Sequence, residues 1–163
     1  MQCHDGKSFK WSVLAAKYGG SNLGNQHRVN HYYDYAAEFG GYRYPMETRD
    51  IPKFEINERI AVNVYTITET GAIDPIHVSD FLPNDPNVTM HVDLLLIEKH
   101  YVLIRNLSRL VRSQVTSHKT AHFICRRCLT ACQTEEVLAK HTERCVEHKA
   151  QTAKMPKPTE KNQ

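Results

Sequence analysis

The feature that most constrains this chain is a cluster near its C-terminal end, Phe123-x-Cys125-x2-Cys128-x12-His141-x3-Cys145. Zinc takes four soft or borderline ligands at tetrahedral corners. A C-x-x-C turn on a hairpin supplies two thiolates, and a His and a Cys four residues apart share one face of a helix. The pattern predicts a ββα finger around one structural Zn2+ held by Cys125, Cys128, His141 and Cys145. Thr134 is placed to cap the finger helix, with Glu135 and Glu136 in the first turn, where the helix dipole favours negative charge. Leu138 and Phe123 take the positions of the core leucine and leading aromatic of a standard finger. The second core aromatic is replaced by Cys132, which reads either as a small apolar residue in a thinner core or as a competing ligand.

The chain has five cysteines, and Cys3 is the one outside this cluster. An odd count gathered around a histidine points to metal rather than disulfides, and to an intracellular location in the nucleus or cytoplasm. No run approaches the ~18 apolar residues of a membrane span. The start, MQCHDGKSFK, has no apolar signal core. The formal charge is +3, too small to declare a nucleic-acid binder. Arg109, Arg112, His118, Lys119, Arg126 and Arg127 form a basic stretch that could meet a phosphate backbone or could be a solvated helix face. The base-reading positions of a finger helix fall on Thr134, Glu136, Val137 and Lys140. Two adjacent glutamates repel phosphate, so sequence-specific DNA reading is not expected.

Upstream, residues 8–18 read as a helix with Ser8 as N-cap, residues 19–30 as a loop, and residues 31–39 as a short helix stopped by Gly40-Gly41. Another short helix is expected over METRDIPKFE, with Pro52 in its first turn. Strand-like runs follow at 60–66, 72–78, 91–97 and 100–106. The last two are separated by Glu98-Lys99, the spacing of a hairpin. Residues 107–117 read as a helix. The sum is an α+β chain: a domain over 1–117 made of a helix followed by an antiparallel sheet, a finger over 118–148, and a disordered tail or linker over 149–163.

The D-G-x-S-F start and the HY strand are similar to papain-like peptidases, ovarian-tumour-type deubiquitinases among them. The resemblance implies a nucleophile at the head of the first helix, where this chain has Ser8 in place of Cys. It also implies a general base at His100, oriented by Asn106 or Asp93, and a ubiquitin-like partner. A serine hydroxyl needs strong base activation, so the chain reads as an inactive relative at most.

The order of SFKWSVLAA, RDIPKFE, IAVNVY, HVDLLLI, HYVLIRNLSRLVRSQ and FICRRC…H…C resembles the region upstream of the polymerase domain in protein-primed family B DNA polymerases of Polinton/Maverick transposons and adintovirus-like elements. That implies a replication-associated module with zinc as its cofactor and weak nucleic acid or a protein as its partner. No polymerase motif is present in the chain. A non-catalytic interaction module is therefore expected.

Overall fold

The computed structural model describes residues 5–20, 29–115 and 123–154. Cys3, His118, Lys119 and residues 155–163 of the expected tail lie outside them. Helix α1 (Ser8–Tyr18) buries Phe9, Trp11, Val13 and Leu14. The helix expected over 31–39 is a 3-10 helix over Val29–Tyr35 followed by hydrogen-bonded turns. Consecutive aromatic and polar residues are poor helix formers, and Phe39 takes a left-handed conformation at φ 57°. Thr48–Asp50 makes one 3-10 turn, and α2 (Ile51–Glu58) follows with Pro52 in its first turn. There the missing N–H has no intrahelical partner to lose. Left-handed Arg59 ends α2.

A four-stranded sheet comes next, with β1 (Ile60–Ile67), β2 (Ile73–His77), β3 (Met90–Ile97) and β4 (His100–Leu103) in the order β2-β1-β3-β4. The outer pairs are antiparallel, but β1 and β3 are parallel. The sheet is mixed, which corrects the antiparallel expectation. The hairpin returns β2 to the end of the sheet where β1 began. Residues 78–89 then pass around the start of β1, where Thr89 N–H donates to Arg59 O at 2.8 Å. The chain enters on the far side of β1, running in the same direction.

Strand alternation gives the sheet two buried faces. Ile60, Val62, Val64, Val92, Leu94 and Tyr101 pack with α1 and α2 in one core. Tyr65, Ile73 and Leu95 face the other way, against Leu107 and Val111 of α3 (Leu107–Val115). The first core is an aromatic interlock in which Phe54 lies edge-on to Phe9, Phe39 and Tyr42.

Side chains bond backbone groups on each sheet edge. On β4, Tyr101 N–H donates to Ser8 Oγ at 3.0 Å and Tyr101 O accepts from Ser12 Oγ at 3.0 Å. Residues i and i+4 of α1 thus imitate a neighbouring strand. On β2, the Gln114 amide does the same with one residue: its Oε1 accepts from Ile73 N–H at 2.7 Å and its Nε2 donates to Ile73 O at 2.8 Å. Ser8 is therefore not the N-cap expected of it. Lys7 precedes the helix, without a side-chain cap, and Ser8 is the first helical residue, almost fully buried against β4.

Candidate metal centre

The finger begins with a minimal hairpin, β5 (Phe123–Ile124) against β6 (Ala131–Cys132). Between them the chain makes a tight knuckle. Cys125 N–H donates to Thr130 O at 3.0 Å, and Leu129 N–H to Cys125 O at 2.8 Å. Leu129 is left-handed at φ 61°, a conformation unfavourable for a side chain with a Cβ. Its side chain is buried in the second core, which offsets that cost. Helix α4 (Glu135–Cys145) starts as the sequence requires: Thr134 accepts from Val137 N–H at 3.3 Å, with Glu135 and Glu136 in the first turn. One face of α4 presents His141 and Cys145 to the knuckle.

The ligand atoms of Cys125, Cys128, His141 and Cys145 all lie within 4.8 Å of one another. The Cys125 and Cys145 Sγ atoms are 3.9 Å apart, and Cys128 Sγ is 3.2 Å from His141 Nε2. Two thiolates at tetrahedral corners around zinc, with Zn–S near 2.3 Å, would be roughly 3.8 Å apart. The four residues could hold a metal ion, and three thiols with one imidazole suit a soft or borderline one. Cys132, although buried, is outside this group.

Burial pushes the Cys125 thiol up to about 12, against the backbone N–H groups of Cys128 and Arg127 that point at its sulfur. Cys128 is also opposed by burial, but hydrogen bonds from the Thr130 hydroxyl, 3.1 Å away, and the Thr130 N–H bring its thiol below the usual range. Two buried or half-buried thiolates beside a third need a compensating cation. Arg126, which interacts with Cys125, is already paired with Asp93.

Arg126 and Arg127, between the two cysteines, turn back to the sheet. Arg126 Nε donates to Asp93 Oδ2 at 2.8 Å. Asp93 Oδ1 accepts from Asn63 Nδ2 at 3.1 Å, and Asn63 Oδ1 accepts from Ser79 N–H at 3.0 Å. Arg127 reaches Ser79 O at 3.4 Å and His148 O at 3.1 Å. Tyr65 hydroxyl donates to Arg126 O at 2.8 Å. Ile124 and Leu129 bury against Tyr65, Leu95, Leu107 and Val111. The hairpin thus shares a core with the sheet and forms its second cover together with α3.

This docking was not anticipated from the sequence, although a signal existed. Asn63 and Asp93 are polar residues inside the apolar strands IAVNVYT and HVDLLLI, and they are paired in register. Asp93 is the partner of Arg126, the first arginine of CRRC, and Asn63 holds Asp93 and the N–H of Ser79, the residue whose carbonyl accepts from Arg127. Two of the six residues in the basic stretch therefore serve the protein's interior. Arg109 is exposed, as are the finger-helix positions Thr134, Glu136, Val137 and Lys140. The finger's own core is thin. Cys132 is buried in place of the aromatic, Phe123 is 42% exposed, and α4 has no fully buried residue.

The hydrolase residues are not brought together. Ser8 Oγ is held by Tyr101 N–H. His100 is exposed on β4, and strand alternation turns it away from the α1 side that its neighbour Tyr101 faces. Asn106 caps α3, accepting from Arg109 N–H at 2.8 Å. Asp93, the alternative orienter, belongs to Asn63 and Arg126. Of the expected Ser8–His100–Asn106 constellation, backbone hydrogen bonds take up Ser8 and Asn106, and the pleat turns His100 to the other face of the sheet.

The part of the tail described, residues 149–154, runs back along the outer edge of β2, where Ala153 N–H donates to Pro75 O at 2.8 Å. It walls a cavity of about 730 Å3 with Cys128, His141 and Cys145 on the opposite side. Among the described residues no helix is long and apolar enough to cross a membrane. No protein-family model, curated protein or solved structure matches the chain.

Proposed function

We propose that the protein is a non-catalytic, zinc-stabilised interaction module, with one structural Zn2+ held by Cys125, Cys128, His141 and Cys145. The carrying observation is the convergence of these four ligand atoms within 4.8 Å in a finger whose hairpin is also part of the sheet's second core. In this reading zinc has a mechanical task. It ties α4 to the knuckle and so holds Ile124, Leu129, Arg126 and Arg127 in place against the sheet. Four protein ligands close a zinc site and leave no open position for chemistry.

The partner we favour is a protein rather than nucleic acid, because Arg126 is already paired with Asp93 and Arg127 with the Ser79 and His148 carbonyls. An intracellular place in the replication machinery of a transposon or virus-like element follows from the resemblance of sequence segments alone. The papain-like hydrolase alternative rests on the same kind of resemblance, and no placement of Ser8, His100 or Asn106 favours it.

Metal analysis of protein purified without added metal tests the reading. One zinc per chain is expected, falling to near zero in Cys125→Ser and Cys145→Ser and remaining at one in Cys132→Ser. A zinc-free, fully folded wild-type protein would sink it.

A further inference from the structure

Beyond the finger, the second face of the sheet is only partly covered. Strand β4 and the first turns of α3 leave a groove of about 540 Å3 lined by Leu95, Val102, Ile104, Leu110, Arg105 and Arg109 among others. Leu110 is 37% exposed, and Val102 and Ile104 are half-buried. Ile97 is two residues on from Leu95, and Ile67 two on from Tyr65. Alternation puts both on this same face, and they are 43% and 47% exposed. Together they make a band of aliphatic side chains continuous with the second core, rather than scattered surface residues.

The charge of the groove is one-sided. Arg105 and Arg109 are exposed at its rim, no carboxylate lines it, and neither arginine is in a salt bridge among the described residues. An apolar floor with a cationic rim suits a segment with the opposite pattern: aliphatic residues at helical spacing flanked by Asp or Glu. Electrostatic complementarity at such a rim sets orientation and partner choice, and the apolar floor supplies most of the affinity. We propose that the groove between β4 and α3 is a docking site for an acidic, amphipathic segment of a partner protein. This rests on the interaction-module reading and gives that reading a surface and a partner chemistry.

The test is selection from a random 16-residue peptide display library on the zinc-loaded protein, followed by fluorescence anisotropy of the enriched peptides. Enriched sequences are expected to combine Leu, Ile or Phe at i, i+3/i+4 and i+7 with net negative charge. Their binding should fall at least tenfold in Leu110→Asp and severalfold in Arg109→Glu, with the melting temperature and zinc content of both variants unchanged. Enrichment of basic peptides, no enrichment, or binding unaffected by Leu110→Asp would overturn the proposal. So would light scattering that shows a dimer broken by Leu110→Asp, since the occupant would then be a second copy. Tight, steeply salt-dependent binding of a single-stranded oligonucleotide abolished by Arg109→Glu would assign the rim to phosphate instead. A failure of these tests in protein that carries its zinc leaves the metal reading standing, whereas zinc-free protein fails the earlier test first.

Discussion

The two faces of the central sheet are closed by different means. The α1/α2 face is shut mainly by aromatic and aliphatic side chains, with Phe9, Phe54, Val13, Leu14 and Val62 fully buried, and a few buried polar groups, Ser8, Ser12 and Glu55, bond the strands beneath them. The opposite face has fewer large residues. It is completed by a hairpin anchored through Arg126–Asp93–Asn63 and Tyr65, with His141 and Cys145 of α4 gathered against Cys125 and Cys128 of that hairpin. A core made of close-packed side chains holds itself together. A face made by a short hairpin with a thin interior needs something further, as small domains do. The difference teaches that the finger is better understood as the second cover of the sheet than as an appended DNA reader.

Removal of the metal should separate the faces most strongly. Structural zinc in isolated finger peptides contributes on the order of 10 kcal/mol of folding free energy. Chelation is therefore expected to release the whole of 123–145. Hydrogen exchange should show loss of protection in β5, β6 and α4, together with fluorescence of a dye that binds the newly exposed second core. Amides of α1 and of the β1–β3 ladder should stay protected. Phe54→Ala, at the centre of the aromatic interlock, should do the reverse. It is expected to cost about 3–5 kcal/mol and to lower global stability with and without zinc. Uniform loss of protection on chelation would show that the two faces fold only as one unit and would break the comparison.

A smaller effect addresses the polar anchor. Asp93→Asn keeps the shape but removes the charge facing Arg126. Arg126 is half-exposed, so solvent softens the loss, and about 1–2 kcal/mol is expected. The change should also quicken zinc release to a chelator, because the knuckle is held less firmly. Unchanged release kinetics would mean that docking and metal retention are independent.

The sequence made the finger legible because metal ligation imposes its own spacing: the clustering of Cys125, Cys128, His141 and Cys145, the Thr134 cap and the helix to Cys145 can be read directly. The strands were legible for a similar reason, since IAVNVYT and HVDLLLI have few other ways to bury so many β-branched and leucine side chains. What could not be read was everything set by long-range pairing. The parallel β1–β3 register depends on residues 78–89 rounding the end of the sheet. The turning of CRRC inward depends on Asp93 and Ser79, distant in the chain. Ser8 at the head of a helix has the same local signature as a cap or a nucleophile. Only the approach of Tyr101 distinguishes the role it has, that of an edge residue.

That edge role gives the finest test. Ser8→Ala removes the acceptor for Tyr101 N–H, and Ser12→Ala removes the donor to Tyr101 O. Each should cost about 1 kcal/mol, the usual net value of a buried neutral hydrogen bond, and slightly more for Ser8 because the N–H left behind is buried. Gln114→Ala on the opposite edge leaves both Ile73 groups unpaired, and it should cost a similar amount. Freed backbone groups on a sheet edge invite pairing with another chain. Denaturation midpoints should therefore fall in parallel for the Ser8 and Gln114 variants, with added aggregation at high concentration for Gln114→Ala, whose edge is otherwise met, among the described residues, by the bond from Ala153 to Pro75. If Ser8→Cys instead reacted with an electrophilic ubiquitin probe, the serine would be part of a hydrolytic site and the edge account would be incomplete. The expected result is no labelling, because the side chain is occupied by Tyr101 N–H and strand alternation turns the neighbouring His100 ring to the other face of the sheet.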